Sequence, residues 1–151
     1  MPRYLLVDGH SVIFSWPELR AVHGNRQGRA QARETLIKEL RQLHDMGSWE
    51  ITVVFDGQSG TGPQVPDARH PGDLVVAYSR KDQTADSIIE ALVASQKDRE
   101  SVTVITADEA ERAAVEGLGA FCLSPDWLRG EMKSVRNDFN EDLRRRKPQR
   151  W

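Results

Sequence analysis

The chain predicts a single-domain, three-layer α/β/α fold with a mainly parallel central sheet. Short apolar runs alternate with amphipathic helical stretches along its whole length. Two of those runs end in the same pair, Asp8-Gly9 and Asp56-Gly57, and no repeat or linker divides the chain. Strands alternating with helices are joined by right-handed crossovers, which puts helices on both faces and gathers ligands at the C-terminal strand ends.

Tyr4 to Val7 is a short apolar run that stops at Asp8-Gly9, as a buried parallel strand does where it meets a loop. From Arg29 to Met46, Leu36, Leu40 and Leu43, joined by Ala32 and Ile37, recur at helical steps before Gly47 offers a stop. Ile51 to Phe55 is β-branched and apolar and runs into Asp56-Gly57. Residues 57–72 hold Gly60, Gly62, Pro63, Pro66, Pro71 and Gly72, which predicts a loop of a length that usually serves a function.

Leu74 to Tyr78 reads as a third strand, and Thr84 can cap a helix to about Lys97 whose buried face is Ile88, Ile89, Leu92 and Val93. Val102 to Ile105 is the next strand. Thr106 and Glu109 have capping-box spacing for a helix over Asp108 to Leu118, and Gly119 starts a short strand through Leu123. Ser124-Pro125 opens a last helix, along which Leu128, Met132, Val135, Phe139 and Leu143 form one apolar stripe.

With 151 residues, 38% hydrophobic and 29% charged, the composition is that of a soluble globular domain. No apolar run approaches the roughly 18 residues a membrane span needs, and the N-terminus lacks a secretory pattern, so the expected location is the cytoplasm with no membrane partner. Cys122, the one cysteine, cannot form an internal disulfide and suits a small core position. A formal net charge of -2 argues against coating nucleic acid by bulk positive charge. Arg144, Arg145, Arg146, Lys147 and Arg150 nonetheless close the chain with a run able to touch phosphates; a solvated helix end explains that run equally well.

Asp8 and Asp56 directly follow strands, Asp108 lies just beyond Ile105, and Asp86 opens the helix after the third strand, so all four can converge on one sheet edge. One such aspartate is usually a helix cap; four at equivalent places point to a shared task. Gathered carboxylates repel one another unless a cation sits among them, and the hard, oxygen-preferring cations are Mg²⁺ and Mn²⁺. Such an ion lowers the pKa of a water and stabilises charge building on a phosphate, which is what phosphodiester hydrolysis requires.

Ser11 and Thr106 are candidate partners for the carboxylates or a scissile phosphate, although Thr106 also suits helix capping. Arg33 and Arg80 are candidate phosphate contacts, with Arg26 and Arg29 beside the first helix; solubility accounts for each of them as well. Glu90, one turn after Asp86, reads first as a solvated helix-face residue. The four histidines show no zinc spacing, and His10 alone lies near the carboxylates.

The ordered set Leu6-Val7-Asp8-Gly9-His10-Ser11-Val12-Ile13, Val53-Val54-Phe55-Asp56-Gly57, Thr84-Ala85-Asp86-Ser87-Ile88-Ile89-Glu90 and Thr103-Val104-Ile105-Thr106-Ala107-Asp108 resembles the YacP-like branch of NYN-domain proteins, relatives of PIN-domain nucleases. The resemblance covers roughly residues 3–130. It implies a PIN-like nuclease domain over residues 1–130; the basic helix and tail of 131–151 lie outside the match and are expected to belong to the same domain. It implies a metal-dependent endoribonuclease acting on single-stranded RNA, with Mg²⁺ or Mn²⁺ held by Asp8, Asp56, Asp86 and Asp108. His10-Ser11 stands where the family commonly has Tyr-Asn, and Ala107 where it often has serine. The alternative is a catalytically weak RNA- or ribosome-binding module that uses the basic C-terminal helix. A phosphatase is disfavoured because no second aspartate stands two residues after Asp8, and a receiver domain because no lysine follows a late strand.

Overall fold

The structure is a computed structural model that describes residues 3–24, 26–46, 49–57, 73–80 and 82–146. In chain order the elements are β1 (Arg3–Asp8), α1 (Gly9–Ser15), α2 (Pro17–Val22), α3 (Arg26–Met46), β2 (Trp49–Phe55), β3 (Val75–Tyr78), α4 (Ala85–Ser95), a 3-10 turn (Arg99–Ser101), β4 (Val102–Ile105), α5 (Glu109–Gly117), β5 (Phe121–Leu123) and α6 (Pro125–Arg146). The strands form one parallel sheet in the order β3-β2-β1-β4-β5. Central β1 pairs on both sides, with Val7 opposite Val53 of β2 and Ile105 of β4.

Period-two alternation along β1 feeds two cores. Leu5 and Val7 face α1, α2, α3 and α6, where they pack with Ile13, Leu36, Leu40, Phe55 and Leu128. Leu6 faces the other way, toward α4 and α5, among Val54, Ile89, Val93, Val104 and Val115. Each fully buried leucine contributes about 1.5–3 kcal/mol relative to exposure. The strand order reverses at β1, where the chain leaves for β2 on one side and β4 lies on the other. That reversal opens the crevice in which such sheets bind ligands.

Several sequence expectations shift. Residues 9–22 form two short helices that were not anticipated: seven and six residues are too few to show a helical period, and the first is capped by Asp8 from the strand before it. Asp108, not Thr106, caps α5, accepting from the amides of Ala110 and Glu111, so the expected Thr106–Glu109 capping box does not form. Gly119 is not a strand residue. Its φ of 105° and the bonds from the Gly119 amide to the Glu116 carbonyl and from the Ala120 amide to the Val115 carbonyl close α5 as a Schellman turn, and β5 starts only at Phe121.

Helix α6 runs unbroken across residue 130, anchored by buried Leu128 and Met132 and by the Trp16 indole N–H donating to the Pro125 carbonyl at 3.0 Å. Its apolar stripe leaves the core after Val135, and Phe139 and Leu143 are exposed. Cys122 is buried in β5, and burial pushes its thiol up to about 11. No helix among the described residues is long and apolar enough to cross a membrane. Most of the expected 57–72 loop, Gly47, Lys147 and Arg150 lie outside the described residues.

Candidate active site

Both Asp-Gly pairs have a steric reason. A Cβ on Gly9 would run into the Phe55 ring, and one on Gly57 into the Ser79 carbonyl oxygen, so each strand end turns where a neighbouring strand leaves no room for a side chain. The aspartate before each glycine is thereby held at the rim. Asp8 is buried and caps α1 through the Ser11 amide at 3.5 Å, and the Ser11 hydroxyl donates to its Oδ2 at 3.1 Å. Asp56 reaches across to α4, where its Oδ1 accepts the Ala85 amide at 2.8 Å, while His10 Nε2 lies 3.7 Å from its Oδ2.

Thr84 caps α4 through the Ser87 amide, which sets Asp86 in the first turn of that helix. Asp108 does the same for α5, its Oδ1 accepting the Ala110 amide at 2.8 Å. The N-termini of α1, α4 and α5 therefore meet in one place, where their partial positive charge offsets part of the carboxylate repulsion. Asp8, Asp56, Asp86 and Asp108 line one open pocket of about 530 Å³, together with His10, Ser11, Phe14 and Thr84.

Within that set the tightest group has a member the sequence reading missed. Asp8, Asp86 and Glu111 each offer a carboxylate oxygen within 4.8 Å of the others. Glu111 is 2% exposed and sits in the first turn of α5. Its Oε2 accepts the Thr106 hydroxyl at 3.0 Å, and its Oε1 is buried with no hydrogen-bond partner among the described residues. The Thr106 hydroxyl also faces Asp8 Oδ2 at 3.4 Å and Ser11 Oγ at 3.2 Å, and it accepts the Asp108 amide at 3.0 Å.

Burial, with Asp8 and Asp86 alongside, pushes Glu111 up to about 10. Asp86 is also raised, by burial first and then by the charges of Asp8, Asp108 and Asp56, while the neighbouring Glu111 carboxyl works the other way. Without a cation the protonated form of Glu111 is therefore the favoured one. An orphaned buried oxygen among three acidic groups fits a divalent cation, whose charge would replace that proton. The scale fits too: opposite oxygens in a Mg²⁺ shell lie roughly 4 Å apart.

The other candidates fall outside this cluster. Ser11 and Thr106 have hydroxyls engaged with Asp8 and Glu111. Arg33 is half-buried on α3. Arg80 is exposed and does not line the carboxylate pocket; it lies beside a hollow against edge strand β3 that is lined by Tyr78, Gln83, Ile88 and Leu92. Glu90 is half-buried on α4 and does not line the pocket. The side chains of Arg26 and Arg146 lie outside the described residues, while Arg144 and Arg145 are exposed. Glu111 had a signal in the sequence, since Asp108-x-x-Glu111 has the spacing that marks a helix start.

A parallel five-stranded α/β sheet with carboxylates gathered at its C-terminal edge defines the class. The chain belongs to the YacP-like NYN domain family, whose model matches residues 5–151 and so reaches through the C-terminal helix. It is similar to the uncharacterized protein YacP of Bacillus subtilis (strain 168), 27% identical over 142 residues that cover 93% of this chain and 81% of that one. It also resembles two crystal structures of Rae1 (YacP) from Bacillus subtilis, each 27% identical. One is a point mutant, with a TM-score of 0.77 over 96% of this chain and 85% of that chain. The other has a TM-score of 0.76 over 94% and 80%. Membership places the chain among nuclease-like, RNA-related domains.

Proposed function

We propose that this protein is a divalent-metal-dependent endoribonuclease that hydrolyses phosphodiester bonds of single-stranded RNA in the cytoplasm. The observation that carries the reading is the convergence of Asp8, Asp86 and buried Glu111 on one point at the mouth of the sheet crevice. These three residues would hold Mg²⁺ or Mn²⁺, which when bound supplies a water of lowered pKa and offsets charge building on the phosphate. Asp56 and Asp108, fixed by first-turn amides of α4 and α5, add negative potential at the mouth and can orient water.

Thr106 and Ser11 act as positioning residues. Their hydroxyls aim Asp8 and Glu111 at the pocket that Ser11 itself lines. Neither candidate arginine lines the carboxylate pocket, and Arg80 lies beside a different hollow, so Arg33 and Arg80 would hold backbone only where the strand leaves the pocket.

The test is a labelled single-stranded RNA incubated with the protein in Mn²⁺, in Mg²⁺ and in EDTA, beside Asp8→Asn and Asp86→Asn. Internal cleavage that needs metal and disappears in both variants supports the reading. RNA and metal binding without cleavage of several RNAs would replace it with a binding module, for which exposed Arg144 and Arg145 on α6 become the place to look.

A further inference from the structure

Phe14 lies on α1 and lines the carboxylate pocket, yet it is 50% exposed and belongs to neither hydrophobic core. Two histidine rings brace it edge-on. His23 is 4.8 Å away between ring centroids at 66°, and His10 is 6.1 Å away at 69°. Nε2 of His23 and Nδ1 of His10 are buried without hydrogen-bond partners among the described residues. Arg29 and Arg33, one turn apart on α3, stand close enough to His23 that their charges, after burial and His10, hold its imidazole below the usual range. Neither arginine forms an ion pair among the described residues, and Arg29 Nε is buried without a partner.

The pocket wall thus carries a braced, half-open aromatic face, and Arg29 and Arg33, outside the pocket lining, bring positive charge near the His23 ring that braces it, in a protein whose formal net charge is -2. An aromatic plate offers stacking to an unpaired base, and adjacent guanidinium groups offer charge to the phosphate that follows it. We propose that Phe14, braced by His23, is the stacking platform for a nucleotide flanking the scissile bond, with Arg29 and Arg33 holding that nucleotide's phosphate. The assignment rests on the nuclease reading for the identity of the strand, and it adds how that strand is gripped. It commits the substrate to a single-stranded form near the cut, since a paired base has no free face to offer.

The experiment measures binding of a short fluorescein-labelled oligouridylate, and of the same ribose-phosphate chain lacking bases, to the full chain in EDTA, so that binding is read without cleavage. Phe14→Ala is expected to weaken oligouridylate binding by about tenfold, within the range for losing one stacked base, and to leave the abasic chain unaffected. Phe14→Trp restores binding, and the Arg29→Ala, Arg33→Ala double variant weakens both ligands. Thermal unfolding shows whether Phe14→Ala keeps the fold. Equal binding of both ligands by Phe14→Ala and wild type overturns the subsite, as does equal loss of both or absence of RNA binding by the wild type. Metal-dependent cleavage in the face of such a result leaves the nuclease standing without the subsite. Base-dependent binding lost in Phe14→Ala, with no cleavage in any metal, retains the subsite and removes the nuclease.

Discussion

Glu111 Oε2 accepts a hydrogen bond from Thr106 Oγ1 at 3.0 Å, and this contact ties the first turn of α5 to the end of β4. The same hydroxyl lies 3.4 Å from Asp8 Oδ2, but it has one proton and cannot serve both carboxylates at once. Asp8 Oδ2 has the Ser11 hydroxyl instead, whereas Glu111 Oε1 is buried with no partner among the described residues, so a proton or a cation must complete the site.

Thr106→Val removes that donor while keeping the side chain's shape. The expected result is roughly tenfold weaker Mn²⁺ binding by calorimetry and a loss of about 1–3 kcal/mol of stability from the buried acceptors left behind. Thr106→Ser keeps both properties near wild type.

Glu111 sets a pH dependence with a definite sign. Its folded value is raised from 4.5 to about 10, so the folded protein holds a proton that the unfolded chain releases. The corresponding stability is fully present below the unfolded value and is lost as pH rises toward 10; the raised Asp86 acts in the same direction. In EDTA, the Tm of the wild type should therefore fall with rising pH relative to Glu111→Gln, which stays neutral. The variant should be more stable by a few degrees at alkaline pH. In excess Mn²⁺ the order reverses, because the wild type gains stability by binding the ion and the variant does not.

Gly57→Ala should cost about 1–3 kcal/mol in chemical denaturation, because the new methyl meets the Ser79 backbone carbonyl, which cannot swing aside. Gly9→Ala should cost a similar amount, since the Phe55 ring it meets is fully buried. Gly130→Ala is the control. Nothing lies within 4 Å of its added Cβ inside α6, and the change should stabilise by about 0.5–1 kcal/mol.

Asp56 has two separable duties. Asp56→Asn keeps an oxygen for the Ala85 amide and should unfold near the wild-type temperature, whereas Asp56→Ala loses that bond and about 1 kcal/mol. Cleavage should drop in both variants, because both lose the negative charge at the pocket mouth.

The strands were legible because their apolar runs are short, β-branched and closed by Asp-Gly. The long helices were legible because Leu36, Leu40 and Leu43, or Ile89 and Val93, repeat over enough turns to show a period. Helices α1 and α2 were not, since their starts depend on Asp8 and on Pro17 after Trp16 more than on any pattern inside them. The rim aspartates stood out because they follow strands. Glu111 did not, because its role depends on burial: seen in sequence it is one of several acidic residues on α5, and only packing against Thr106 and Asp8 separates it from exposed Glu109. The Phe14 platform was hidden for the same reason, since His10, Phe14, His23 and Arg29 meet only after α1, α2 and α3 fold together.

On the proposed function, Asp8, Asp86 and Glu111 hold the divalent cation on which RNA cleavage depends. Anomalous diffraction from crystals soaked in Mn²⁺ tests it most directly. A peak bounded by those three carboxylates is expected in the wild type, and none there in Asp86→Asn. A wild type that cleaves RNA in Mn²⁺ but shows its peak elsewhere, or shows the same peak in Asp86→Asn, would contradict it.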